Sequence, residues 1–531
     1  MTQASQPQLL SSGEVPLSGG MLWVAAMVLA AANFIAVLNL TLANVSVPSI
    51  AGSLGATTSQ GIWVITSFAV GEAITVPLTG WLAGRFGSVR VFVSSLLLFT
   101  LFSALSGVST TLGLLVVARI FQGFAAGPLM PLSQTLLLRI FPREKAAVAI
   151  AIWSMTTTIA PVLGPILGGY LCDEYSWHWV FFLNTPIAIG CAFIGWNLLQ
   201  RYTDPLSKNP IDRVGLVLLV VWVAALQLML DEGKDLDWFA STKIITLAIV
   251  AVVGFIAFLI WEIHEEHPVV DLRIFRHRGF SATVLTICLA FAAYFSINVL
   301  TPLWLQSFMG YTATIAGQAT AWTGCFALFT APIAAQLMGR TDPRRLVFFG
   351  VLWMGGVTLW RSIATTDMGF WDVATPLMAL GLAVPFFFIP TMGLALSSVE
   401  KHEMDSAAGL MNFLRTLSGA IATSVVTTNW SDRITYNHAE LVGLADSDGA
   451  VRSLLERAAM TPEALSQTID YLITSQSVML ATNEMMALLG LLFIFSATLI
   501  WLAPRPARAK DAAAHGGAER GEARGRAEAC P

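Results

Sequence analysis

The sequence predicts an all-α integral membrane protein, and three observations predict it. Of its 531 residues, 56% are hydrophobic and only 12% are charged, where soluble domains carry roughly 25% charged residues. The apolar residues fall in runs of about 20, the length a helix needs to cross hydrocarbon. These runs alternate with loops that switch between carrying Lys and Arg and being almost free of them. The mean hydropathy is +0.70. A net charge of −4 gives no reason to expect nucleic acid as a partner. The cysteines Cys172, Cys191, Cys288, Cys325 and Cys530 show neither paired nor metal-type spacing, so no metal site and no disulfide are expected.

Fourteen spans are expected, in this order. The first, 21–43, follows a segment 1–20 without Lys or Arg, so it reads as a span rather than a cleaved leader. The second, 61–83, holds Glu72 mid-run, and after the third, 90–107, the fourth, 112–138, holds Arg119. The fifth, 146–170, contains Pro161, Pro165 and three glycines within ten residues, which a membrane helix tolerates because its neighbours re-satisfy the freed backbone. The sixth, 179–200, opens on aromatic residues that suit a membrane interface. The seventh and eighth, 214–231 and 244–263, are separated by a short mixed-charge loop. The last six are 279–301, 313–338, 346–363, 373–396, 407–430 and 484–503.

Charge orients these spans. One set of loops carries Arg85 and Arg90; Arg139, Arg143 and Lys145; Arg201, Lys208 and Arg213; Arg273, Arg276 and Arg278; Arg340, Arg344 and Arg345; Lys401; and Arg505, Arg508 and Lys510. Residues 44–60, 108–111, 171–178 and 302–312, on the other side, carry no Lys or Arg. By the positive-inside rule both termini are cytoplasmic. Residues 431–483 then form an external loop whose 451–480 part has helical apolar spacing, and 504–531 reads as a disordered tail.

Charged residues within spans are expensive and need a cavity or a partner. At about 1.5 Å per residue, Glu72 lies roughly 16 Å and Arg119 roughly 11 Å below the outer ends of their spans. The two can pair if both helices face one cavity. Burial raises a carboxylate's pKa and a nearby arginine lowers it. Glu72 is therefore read as the proton carrier with Arg119 as its tuning partner. The competing reading is a structural pair that only ties helices together. Asn412 and Arg415 lie in the thirteenth span, where Arg415 either snorkels to the inner face or serves transport. Arg361 and Glu484 read as interfacial anchors. Polar residues within apolar runs (Asn33, Asn39, Gln122, Asn298, Gln306), with Trp153, Met155 and Trp304, are expected to line a hydrophobic cavity that takes lipophilic or cationic compounds. For each the alternative is a packed or lipid-facing side chain.

Several runs together resemble the major facilitator superfamily, in particular its fourteen-helix drug:proton antiporter branch (the EmrB/QacA type). Gly164-Pro165-Ile166-Leu167-Gly168-Gly169 is similar to the antiporter motif of the fifth helix. Gly80-Trp81-Leu82-Ala83-Gly84-Arg85-Phe86-Gly87-Ser88-Val89-Arg90 resembles the loop motif after the second helix, with Gly84 where the family has an acid. Arg119-Ile120-Phe121-Gln122-Gly123 resembles R-x-x-q-G. Leu38-Asn39-Leu40-Thr41-Leu42-Ala43-Asn44-Val45-Ser46-Val47-Pro48 resembles L-D-x-T-x-x-N-V-A-x-P, but Asn39 replaces the usual aspartate and cannot titrate. Trp177-His178-Trp179 stands where the family has W-R-W.

The resemblance implies a six-helix bundle at 21–200, two inserted helices at 214–263 and a second six-helix bundle at 279–503, rocking about a central site. Gly80, Arg85, Gly87, Arg90, Gly123, Gly164, Pro165, Gly168, Gly169, Asn412 and Arg415 would serve the conformational change. It implies a multidrug efflux transporter of the bacterial inner membrane, driven by the proton gradient without a cofactor. The substrates would be lipophilic small molecules, with membrane lipid around the chain. The EmrB type also implies a periplasmic adaptor protein and an outer-membrane channel. An importer of a small solute and a non-transporting receptor or scaffold are the alternatives. No Walker A sequence, nucleophile elbow or zinc signature is found, so no enzyme is expected.

Overall fold

The structure, a computed structural model, describes residues 19–56, 58–142, 145–202, 206, 212–234, 236–448 and 462–505. Most of the expected N-terminal segment, nearly all of the tail, Arg143, Lys208 and the Pro165 side chain lie outside the described residues. Among the described residues the chain is helical, without a strand.

The first half holds α1 (Gly20–Ser53), α2 (Thr58–Thr75), α3 (Thr79–Phe86), α4 (Ser88–Gly107), α5 (Leu112–Ala126), α6 (Leu129–Ile140), α7 (Ala146–Glu174), α8 (His178–Phe182) and α9 (Asn184–Leu199). Between the halves run α10 (Arg213–Glu232) and α11 (Thr242–His264). The second half holds α12 (Arg278–Ser307), α13 (Ala313–Met338), α14 (Pro343–Arg361), α15 (Phe370–Ser397), α16 (Met404–Asp448) and α17 (Pro462–Leu499).

Each of the fourteen expected spans falls on helix. Among the described residues ten helical stretches are long and apolar enough to cross a membrane, and α2 with α3 makes an eleventh if that pair, bent by 58°, is one span. Pro77 sits in the bend, where its ring and missing N–H interrupt the helical ladder. Gly127 and Pro128 divide α5 from α6 in the same way. The expected spans 146–170, 346–363 and 407–430 are helical but fall short of that apolar length among the described residues. Arg344, Arg345 and Arg361 lie on α14, and Asp405 and Arg415 on α16. Side-chain oxygens begin several helices: Thr111 accepts from Leu114 N–H at 3.3 Å and Asp212 from Gly215 N–H at 3.0 Å.

Within the first half α1 packs on α7, α2 on α5, and α4 on α5 and α9. Within the second, α13 and α14 pack on α15, α12 on α16, and α17 on α14 and α16. The halves meet where α7 lies against α13 and α15, and where α3 and α6 lie against α16. The inserted helices α10 and α11 pack on each other, and α10 also touches α2 and α16.

The expected external loop 431–483 is different in structure. Its described parts are helix, because α16 continues to Asp448 and α17 starts at Pro462. The 45 residues of α16 measure roughly 67 Å, more than twice the roughly 30 Å of bilayer hydrocarbon. Arg433 holds Glu484 at 2.9 Å between the two helices, so Glu484 is ion-paired rather than a lone anchor. Residues 449–461 lie outside the described residues.

Candidate functional site

Glycines bring α2 and α5 into backbone contact. A Cβ on Gly71 would collide with the Ile120 carbonyl, and one on Gly123 with the Phe68 carbonyl. This approach sets Arg119 of α5 against the face of α2. Arg119 has no exposed surface and its guanidinium lies 4.2 Å from the Phe68 ring centroid. Its Nε donates to the Val64 carbonyl at 3.0 Å, and its Nη1 donates to Asn39 Oδ1 at 2.5 Å and to Gln122 Oε1 at 2.8 Å. Nη2 is buried without a partner.

Glu72 lies two helical turns along α2 from Val64 and is 6% exposed. Its carboxylate makes no hydrogen bond and no ion pair among the described residues. The expected direct Glu72–Arg119 pair is thus absent. Arg119 is held by neutral oxygens, and Glu72 feels it only as a charge at longer range. Sequence reasoning placed both residues at compatible depths but had no means of seeing that Asn39 takes the close position.

A second arginine, from the opposite half, acts on Glu72 through its charge. Arg415 of α16 is 1% exposed and within electrostatic reach of Glu72. Its guanidinium lies 5.0 Å from the Phe291 ring and 5.5 Å from the Trp153 ring, and Nη2 donates to Met130 Sδ at 2.8 Å. Nε and Nη1 have no partner among the described residues. Arg415 therefore does not snorkel to the inner face; it points into the seam between the halves. One carboxylate without an ion pair among the described residues and two buried guanidiniums, one from each half, are thus coupled through their charges.

The other polar candidates divide. Asn33 donates to Thr156 Oγ1 at 2.7 Å and to Thr157 Oγ1 at 2.9 Å, tying α1 to α7. Trp153 is fully buried and its indole N–H donates to Ser133 Oγ at 3.1 Å. Met155 lines an apolar pocket between the halves with Ile159, Leu328, Val384 and Phe388. Asn298 donates to the Tyr294 carbonyl of its own helix. Trp304 belongs to a separate pocket within the second half, and Gln306 is exposed. Trp153 and Met155 are thus at the seam, Asn39 and Gln122 are bound to Arg119 inside the first half, and Trp304 and Gln306 lie away from both.

The halves are fastened at the end that carries the basic loops. Arg139 Nη2 pairs with Asp405 Oδ2 at 2.7 Å, and Ser88 Oγ donates to the same oxygen at 2.9 Å. Asn412 Nδ2 donates to Gln134 Oε1 at 3.1 Å. Gly80 abuts Ser406 so closely that a Cβ would overlap it. Arg85 and Arg90 of the same loop motif are exposed and make no ion pair among the described residues. Gly87 adopts φ 91°, the left-handed conformation that ends α3. Asp405 and Ser88 were missed as functional candidates. The signal was the acid-rich run Glu400 to Asp405 in a loop on the basic side.

In α7, a Cβ on Gly164 would overlap Thr41, and one on Gly168 would come within 3.1 Å of the Leu42 carbonyl. Nothing lies within 4 Å of a Cβ on Gly169. Two of the three glycines thus seat α7 on α1.

The sequence profile described as Major Facilitator Superfamily matches residues 29–423. The Multidrug export protein EmrB of Haemophilus influenzae is 43% identical over 496 residues, covering 92% of this chain and 97% of that protein. EmrB of Escherichia coli is 42% identical with the same coverage. The Fatty acid resistance protein FarB of Neisseria gonorrhoeae is 41% identical, covering 92% of this chain and 98% of its own. Among solved structures, the proton:xylose symporter XylE superposes with a TM-score of 0.56 at 13% identity, covering 91% of this chain and 96% of that one. At that identity the likeness is one of fold.

Proposed function

Since the chain belongs to the major facilitator superfamily, we propose that it is a secondary transporter that exports lipophilic and amphipathic toxic compounds in exchange for protons. Relatives named for multidrug export and fatty acid resistance support export of such compounds. One observation carries the proton coupling: Glu72 is buried, makes no ion pair among the described residues, and is within electrostatic reach of Arg119 of its own half and Arg415 of the other.

In this reading Glu72 loads a proton from one side and releases it to the other. Arg119 is fixed by Asn39, Gln122 and Val64, so its pull on Glu72 is constant. Arg415 rides on α16, which moves with the second half. Opening the seam at the Arg139–Asp405 end carries Arg415 away and weakens its hold on the carboxylate charge. The proton affinity of Glu72 then follows the conformational state, which is what exchange requires. A drug enters between the halves near Met155, where the walls are apolar. No cofactor takes part, and the proton gradient supplies the free energy.

We place the chain in a bacterial inner membrane with both termini in the cytoplasm, following the basic loops. The helical extensions of α16 and α17 then stand on the periplasmic side. They are exposed at Tyr436, Leu444 and Tyr471, and offer a seat for a periplasmic adaptor leading to an outer-membrane channel. Removing residues 436–480 would lower drug resistance of whole cells but leave transport by vesicles intact.

Coupling is tested in proteoliposomes with an imposed pH gradient and ethidium as substrate. Wild type is expected to accumulate ethidium against its gradient. Glu72→Gln is expected to equilibrate ethidium without accumulating it. Accumulation by Glu72→Gln equal to wild type would remove Glu72 from the coupling step.

A further inference from the structure

Arg361 ends α14, where the sequence suggests an interfacial anchor, yet it is only 8% exposed. Its Nη2 donates to Thr301 Oγ1 at 2.8 Å, and among the described residues its buried Nη1 has no partner and no acid pairs with it. A guanidinium out of water without a counter-charge is costly, and such a residue is retained where an anion visits.

The surroundings form a pocket inside the second half, at the end remote from the Arg139–Asp405 pair. Trp304, Met368, Val373, Pro376 and Met486 line it around Arg361. Its enclosed space is small, about 20 Å³, room beside Arg361 for one water-sized group such as a carboxylate or phosphate oxygen. One acid, Asp372, lies on the rim, exposed at the start of α15, where its Oδ2 accepts the Gly369 N–H at 2.9 Å. It forms no ion pair with Arg361 among the described residues.

We propose that this pocket binds the anionic headgroup of an amphiphile, with Arg361 as the charge partner and Trp304, Met368 and Met486 around the first carbons of its tail. A planar guanidinium with one N–H already fixed on Thr301 and another free suits a carboxylate or phosphate oxygen. The thioether and indole walls suit a flexible chain. A cationic drug is repelled by the same Arg361. This site is distinct from the seam between the halves, and it stands whether or not Glu72 carries protons. Two sources supply the chemistry: a free fatty carboxylate, or the headgroup of an anionic phospholipid.

The test uses the full chain in phosphatidylcholine nanodiscs and measures equilibrium binding of radiolabelled decanoate. Wild type is expected to bind it saturably. Arg361→Gln is expected to lose affinity by about tenfold or more, as removal of a charged hydrogen-bond partner does. Decanol and decyltrimethylammonium, with the same tail and no anion, are expected not to compete. Met486→Trp fills the pocket without touching the charge and is expected to lose binding as well, which guards against a fold defect in Arg361→Gln. If nanodiscs containing phosphatidylglycerol block decanoate, a lipid headgroup is the natural occupant. If they leave decanoate binding unchanged, a free carboxylate is. Equal decanoate binding by wild type and Arg361→Gln, or competition by decanol as strong as by decanoate, would overturn the proposal.

Discussion

Arg119 donates through Nη1 to Oδ1 of Asn39 at 2.5 Å, joining α5 to α1 in the interior of the first half. A neutral amide, not a carboxylate, thus holds the arginine. The consequence is electrostatic. Arg119 keeps its full charge available to Glu72, one α2 face away, instead of having it cancelled by an adjacent acid.

Replacing Asn39 therefore separates packing from charge. Asn39→Leu leaves Nη1 with Gln122 alone and buries an apolar group against a cation. A loss of about 1–3 kcal/mol is expected, the usual cost of a buried donor deprived of its partner, read by thermal unfolding of the purified protein. Asn39→Asp can accept the same hydrogen bond and should fold normally. By neutralising Arg119 it should shift the pH dependence of ethidium transport; a pH profile identical to wild type would show that the arginine's charge does not reach Glu72.

The ion pair between Arg139 and Asp405 closes the basic-loop end, and its partners come from opposite halves. Asp405→Asn should weaken closure there. Ser406→Cys, in a background with the native cysteines replaced, reports it: maleimide labelling in inside-out vesicles should rise several-fold when Asp405→Asn is added. An unchanged labelling rate would show that the Gly80–Ser406 contact and the Asn412–Gln134 bond suffice.

The glycines of α7 predict a contrast within one motif. Gly164→Val forces a side chain into Thr41 and should destabilise by about 1–3 kcal/mol through overpacking, with loss of drug resistance. Gly169→Ala meets open space and should be tolerated. Drug-susceptibility assays matched for expression compare the two. Equal loss in both would mean that the motif acts through backbone flexibility rather than through the α1 contact.

A pH dependence follows at the basic-loop end of the second half. Burial pushes the Glu403 carboxyl up, but the Glu400 N–H, His277 and Arg276 together outweigh it and hold it below its ordinary value. Arg276 lies at 2.8 Å and His277 at 3.0 Å from its oxygens. A lowered folded pKa adds stability above the unfolded value, about 4.3, and that stability is lost as pH falls through the folded value. Glu403→Gln should therefore be less stable than wild type near pH 7, by about 1–3 kcal/mol, with the gap closing below about pH 4. Thermal unfolding at both pH values checks it, and a gap independent of pH would contradict the charge-based explanation.

Much of the fold was legible because a bilayer imposes length, apolarity and charge alternation on a sequence. The fourteen apolar runs lie on helices for that reason. The bend at Pro77 and the close seats at Gly80, Gly123 and Gly164 also follow from residue type. The candidate site was legible in its residues but not in its pairings. Depth along a helix placed Glu72 near Arg119, while rotation about the helix axis, which decides that Arg119 meets Asn39, leaves no mark in a run that is apolar all round. Arg361 was misplaced, and Arg415 left between two readings, for a related reason. A position near a span end permits snorkelling, but packing of the neighbouring helices decides whether the side chain turns out or in. Asp405 escaped notice because its partner Arg139 lies 266 residues away in the chain.

The central claim is that Glu72 carries the exchanged proton. The most direct test is proton release on adding tetraphenylphosphonium to purified protein in weakly buffered detergent solution, for wild type and Glu72→Gln. The account predicts release by wild type, rising with drug to saturation, and none by Glu72→Gln although the drug still binds. Equal release by both proteins would contradict it and place the proton on another group.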